Sequence, residues 1–157
     1  MTPSTRELVA SREDVWRFLA EPYHLPDWWP GIVGVQPDHR GFAPGARWSV
    51  NMFEDPDWWN FLRLPRMGRP SGRTAPFILV IGEIVELERW SWEVFPRVRN
   101  DRAPRAKPRG AEISLRFLAE DRTEVTVVAT RRGRYDPRLS QNAADRLYDL
   151  VQTAATM

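Results

Sequence analysis

From Asp136 to its end the chain spells out one long amphipathic helix, and such a helix needs a surface to bury its apolar stripe. Asp136 is a good N-cap, and Pro137 suits the first helical position. Leu139, Ala143, Leu147, Leu150, Val151 and Ala154 follow at spacings of three and four, while Asp145, Arg146 and Asp149 fall on other sides. The preceding segments are written in a different period. Ala111, Ile113, Leu115 and Phe117 alternate with Glu112, Ser114 and Arg116, which marks a strand with one buried and one wet face. After a Glu120-Asp121-Arg122 turn, Thr123 to Arg131 pairs back with Val125, Val127 and Ala129 inward. An antiparallel sheet is therefore the surface that the terminal helix covers.

The rest of the chain extends this pattern. Leu8-Val9-Ala10 closes a short first strand. Ser11 stands three residues before Asp14, close to a capping box, so a helix is expected from Arg12 with Val15, Trp16 and Leu19 on one side, stopped by Pro22. Leu25 to Trp29 reads as a second short helix closed by Pro30-Gly31, and Ile32 to Val35 as the start of an extended run. Arg47 to Phe53 is a strand after a Gly41–Gly45 turn, and Phe77 to Glu86 with Arg89 to Phe95 form a hairpin. The order is strand, two short helices, about six strands and one long helix, with no internal repeat, so we expect an α+β fold in one domain over residues 1–157. A chain of 157 residues is long enough for a real core.

Charge and composition narrow the function. Net charge is only +2, but it is uneven. Between Arg97 and Arg109 six cations face one acid, and between Phe61 and Thr74 lie four arginines and no acid, so the body of the domain is acidic. Solvated loop arginines explain this, and a nucleic-acid partner is not expected. Cysteine is absent, which removes disulfides, thiolate metal sites and thiol nucleophiles. His24 and His39 are too far apart for a local metal pair, and no Gly-x-Ser-x-Gly, P-loop or Gly-x-Gly-x-x-Gly pattern occurs. No metal and no cofactor is expected. The opening residues have no apolar signal core, and no run approaches the roughly 18 apolar residues of a membrane span, so a cytoplasmic protein is expected.

The aromatic residues carry the positive signal. The chain holds eight tryptophans, each able to bury up to about 250 Å². Trp16 is assigned to the core. Trp90, Trp92 and Val94 share one strand face, as do Trp48, Val50 and Met52. With Leu79, Ile81, Phe117, Leu147 and Val151 these make either a mostly apolar wall of the kind that lines small-molecule sites or a closed core with no usable volume, and we read them as the wall. Neighbours on a strand or helix diverge, so Trp28 with Trp29, and Trp58 with Trp59, are not expected to face one core. One member of each pair is expected to line a cavity, cap its mouth or meet solvent, and Trp28 is assigned to the site. The excursions 55–76 and 97–110 are longer than hairpins need. The first holds Trp58, Trp59 and Phe61, which are expected to close a lid.

Leu8-Val9-Ala10-Ser11-Arg12-Glu13-Asp14-Val15-Trp16-Arg17-Phe18-Leu19 resembles the opening strand and Val-Trp helix of the START-like (SRPBCC, polyketide cyclase/dehydrase) superfamily. Leu25-Pro26-Asp27-Trp28-Trp29-Pro30-Gly31-Ile32 resembles its second-helix motif, Gly41 and Gly45 its turn before the third strand, and Gly133 with the terminal helix its close. The resemblance spans essentially the whole chain. It implies a helix-grip fold, a curved antiparallel sheet of about six to seven strands wrapped around the long helix with a cavity between, as in Bet v 1-like proteins. It implies a protein that binds a small hydrophobic or aromatic, polyketide- or lipid-like molecule, as a monomer or homodimer. A second reading is a cofactor-free cyclase/dehydrase in the same cavity. Its polar candidates are Arg47, Glu83, Glu93, Arg116 and Tyr148, with Glu83 or His24 as acid/base. Alternation puts Glu83 on the face of Leu79 and Ile81, which predicts a half-buried carboxylate, while an ion pair with a neighbouring-strand arginine is the plainer expectation. A third reading, handling lipid at a membrane surface, rests on Trp58, Trp59, Phe61, Leu62 and the nearby arginines.

Overall fold

A computed structural model describes residues 4–53, 74–97, 109–131 and 133–155. The elements are β1 (Ser4–Leu8), α1 (Arg12–Ala20), a 3-10 turn (Pro22–His24), α2 (Leu25–Trp28), β2 (Ile32–Gln36), β3 (Arg47–Phe53), β4 (Thr74–Val85), β5 (Arg89–Pro96), β6 (Arg109–Ala119), β7 (Arg122–Arg131), β8 (Arg134–Tyr135) and α3 (Pro137–Ala155). The expected order of elements is present. The first strand is displaced, ending at Leu8 with Val9 exposed beyond it.

All strand pairings are antiparallel, in the order β1-β7-β6-β5-β4-β3-β2, with β8 beside β7. β1 therefore crosses to the far side of β7, and the α1–α2 segment bridges to β2 at the opposite edge. α3 packs on β1 and β7 and meets α2. The result is the helix-grip arrangement, one sheet with a long helix on its concave side.

Local chemistry explains the junctions. Ser11 Oγ accepts the Asp14 N–H at 3.1 Å, so this N-cap starts α1 where its spacing predicts. Asp136 Oδ1 accepts the Leu139 N–H at 3.1 Å and caps α3. Gly45, at φ +83°, holds the turn before β3 in a conformation that costs a side chain dearly, and its N–H reaches Ile81 O at 2.8 Å. Two hydroxyls act as bolts. Ser140 Oγ on α3 accepts the Ala129 N–H of β7 at 2.8 Å and donates to Asp136 O at 2.6 Å. Thr123 Oγ1 donates to Ala10 O at 2.9 Å, tying β7 to the entry of α1. Both side chains are fully buried, so each satisfies a polar group that water cannot reach.

The buried stripe of α3 is Ser140, Ala143, Ala144 and Leu147, with Val151 half-buried. Leu150, expected on that stripe, is exposed, and Ala144 takes the inward position. Small residues predominate where the helix backbone approaches β1 and β7. Arg6 of β1 supports the contact from outside, pairing with Asp145 and lying 3.9 Å from the Tyr148 ring centroid.

Candidate functional site

The concave face is built from cross-strand rows. One runs Trp48–Leu79–Val94 across β3, β4 and β5. The next runs Ile81–Trp92–Ala111–Ala129, and the third Ile84–Trp90–Ile113–Val127. Large rings thus sit beside alanines or aliphatics, which gives each indole room without forcing its rotamer. Val50 and Met52 of β3 and Phe77 of β4 continue the wall, and all are buried.

Most of these rings meet edge to face, while Trp90 meets Trp48 and Trp92 tilted, at 47° and 40°. Trp90 and Trp92 lie 4.7 Å apart between centroids. Trp92 reaches Trp29 at 4.8 Å and Trp28 at 6.2 Å, so it joins the sheet to α2. Trp90 reaches Phe42 at 4.9 Å and Trp48 at 6.1 Å, and Phe42 meets Trp16 of α1 at 5.8 Å. Edge-to-face contacts of this kind add about 0.5–1.5 kcal/mol each beyond buried area. Trp48 Nε1 donates to Gly41 O at 2.7 Å. Trp90 is 1% exposed, yet its Nε1 has no hydrogen-bond partner among the described residues.

The structure brings together Trp28, Trp48, Met52, Leu79, Ile81, Trp90, Trp92 and Leu147 as buried neighbours of one core, with Val151 packed at its edge. Trp58, Trp59 and Phe61, and with them the lid, lie outside the described residues. Three expectations need correction. Phe117 is 54% exposed. It stands near the end of β6, where a register shift follows, and the Arg12 guanidinium lies 5.9 Å from its ring centroid. Alternation gives the side a residue points to, but among the described residues little covers that side here. Trp28 and Trp29 do share one core. Trp29 is the extended cap of α2, at φ −94° and ψ 116°, so the chain turns and both rings reach Trp92.

Glu83 is the third. Gly82 and Glu83 together lie opposite Ser91, because the β4–β5 register passes from Ile81↔Trp92 to Ile84↔Trp90. This β-bulge shifts the inward position to Ile84 and turns Glu83 outward. Its side chain is 62% exposed and pairs with Arg89 Nη2 at 2.7 Å, the ion pair with an adjacent strand. That hydrogen bond, with the Glu83 charge, raises the Arg89 pKa. His24 does not reach the aromatic wall through any described contact. It stacks on Phe18 at 4.3 Å, and its Nδ1 lies 3.0 Å from Phe18 O, a local cap on the end of α1. Of the other polar candidates, Arg47 and Glu93 are exposed, Arg116 pairs with Glu124 at 3.0 Å, and Tyr148 lies under Arg6.

Phe42 and Trp29 belong to the aromatic cluster but were not assigned to it from sequence. Phe42 sits in a Gly- and Pro-rich turn that has no periodicity to read. The outer face of the same strands is different in kind. Gly82 and Gly110 leave a shallow recess of about 430 Å³, edged by Val80, Glu93, Phe95 and Glu112. A Cβ on either glycine would come within 2.9 Å of the hydroxyl of Ser91 or Thr130.

Known proteins match this chain through structure. No known family's sequence profile and no curated protein sequence matches it. A START superfamily protein from Mycobacterium smegmatis superposes with a TM-score of 0.52 at 15% identity, over 99% of this chain and 94% of the other. The aromatase/cyclase ZhuI from Streptomyces sp. R1128 does so at 0.53 and 13%, over 98% and 87%. The di-domain aromatase/cyclase StfQ of the steffimycin biosynthetic pathway gives 0.59 and 17%, over 99% of this chain and 44% of that one. The chain has the START-like, helix-grip fold. Among the described residues, no helix is long and apolar enough to cross a membrane.

Proposed function

We propose that the protein binds a small hydrophobic or aromatic molecule, polyketide- or lipid-like, between the concave sheet face and α3. The observation that carries this reading is the concentration of six tryptophans and Phe42 on one side of the sheet, contributed by α1, α2, the turn before β3, and strands β3 and β5. A domain that needed only a core could fill it with aliphatic residues, which have well-defined rotamers and no polar atoms. Indoles offer wide, flat, polarisable walls, and Met52 adds a side chain that adapts to shape. Structural likeness to proteins described as START and aromatase/cyclase supports the same class of ligand.

Native mass spectrometry of freshly purified protein is expected to show a co-purified small molecule. A melting screen of polyketides, fatty acids, sterols and flavonoids is expected to find a ligand that stabilises. At a hundredfold excess over Kd the gain is about 2.7 kcal/mol, a shift of several degrees. No adduct and no shift across the panel would remove the reading.

A second reading, a cofactor-free aromatase/cyclase or dehydrase in the same place, is supported by the descriptions of two structural neighbours. Glu83 at the surface and His24 stacked on Phe18 are poorly placed to act as its acid or base. An enzyme predicts turnover of a reactive poly-β-ketone by the wild type. Turnover lost in Glu83→Gln or His24→Ala, with ligand affinity retained, would restore those residues to the mechanism.

A further inference from the structure

Two indoles in contact on the concave face are treated differently by the fold. Trp48 gives its N–H to Gly41 O at 2.7 Å. Trp90, its neighbour at 6.1 Å, is equally buried and gives its N–H to nothing among the described residues. A buried donor without an acceptor is costly, and native structures rarely keep one without a reason. Among the described residues, the rings around Trp90 are those of Phe42, Trp48 and Trp92, and its cross-strand neighbours are Ile84 and Ile113. None of these side chains carries an oxygen. A buried water usually needs two to four polar partners, and these side chains offer it no acceptor. A phenylalanine at position 90 would fill most of the same space and leave no orphan donor.

We infer that Trp90 Nε1 is the polar anchor of the concave site. Its ligand carries an oxygen acceptor, a ketone, quinone or ether oxygen, set within an apolar aromatic body. This rests on the ligand-binding reading above and deepens it. Small-molecule sites typically combine an apolar wall with a few placed polar groups that fix orientation. Here the unused donor selects ligands by what their middle presents. A plain hydrocarbon of the same shape leaves the donor unpaired and is disfavoured.

The test compares 9-fluorenone with fluorene, which have the same ring skeleton and differ in a carbonyl against a methylene. The wild type is expected to bind fluorenone roughly two- to tenfold more tightly, the span of one ordinary hydrogen bond. In Trp90→Phe that ratio is expected to fall to one. Because the variant could fold poorly, the wild type supplies a second readout. The Trp90 indole N–H resonance, assigned through its contacts to the Phe42 and Trp48 rings, moves downfield with fluorenone and not with fluorene. Equal affinities, a preference that survives in Trp90→Phe, or an unmoved resonance would overturn the anchor while leaving the ligand-binding reading standing. Failure of both probes to bind counts against that reading itself, and the anchor falls with it.

Discussion

The two faces of strands β4, β5 and β6 are built from alternate residues of the same segments, yet they differ as much as two separate proteins might. Inward lie Ile81, Trp90, Trp92, Ala111 and Ile113, all buried. Outward lie Gly82, Ser91, Glu93, Gly110 and Glu112, which leave a shallow recess with carboxylates on its rim. Among the described residues the inner face concentrates the large rings, and there the buried Trp90 Nε1 lacks a partner. The lesson is that sheet area alone does not mark a site. What separates the faces is the concentration of aromatic surface on one side, against the ring of Phe95 at the edge of the recess on the other.

The contrast is broken most severely by Trp92→Ala. Trp92 joins Trp28 and Trp29 of the helical segment to Trp90 of the sheet, so its loss is expected to cost about 3–5 kcal/mol in urea unfolding. Glu93→Ala, one residue along on the outer face, is expected to leave the urea midpoint where it is. Equal losses would mean that the outer recess is as tightly packed as the core. Ser140→Ala comes next. It leaves the Ala129 N–H unpaired beneath α3 and is expected to cost about 1–3 kcal/mol in the same assay. A neutral outcome would show that the helix does not depend on that bolt.

The smallest effect lies in the turn before β3. The Arg47 N–H, 2.9 Å from Asp38 Oδ2, holds the Asp38 pKa below its ordinary value, with the Arg40 N–H assisting at 3.0 Å. A lowered folded-state pKa contributes stability that is present above the ordinary value of 3.8 and is lost as pH falls through the lowered one. The difference in melting temperature between wild type and Asp38→Asn is therefore expected to shrink on acidification below about pH 4. A difference that stays constant across that range would contradict the assignment.

Much of the architecture was legible because its signals are local. The Ser11–Asp14 cap, the Asp136-Pro137 start, and the alternation in β3, β5, β6 and β7 each follow from a few neighbouring residues. The misreadings arose where a local rule met a non-local fact. A bulge cannot be seen in a strand's own pattern, so alternation alone puts Glu83 on the wrong face. Phe117 obeys the alternation, but whether it is covered depends on where α1 ends up. The Trp28-Trp29 pair follows helical divergence only if the helix continues, and it stops at Trp28. Ser140 reads as one polar residue on a helix, and its role appears only when β7 is beside it.

The central claim is that a ligand sits on the inner face, and intermolecular nuclear Overhauser contacts locate it most directly. With 9-fluorenone bound, contacts are expected from its ring protons to the methyl groups of Met52, Leu79 and Leu147. Contacts confined to Val80 and Val128, which border the outer recess, would place the ligand on the wrong side of the sheet and contradict the account.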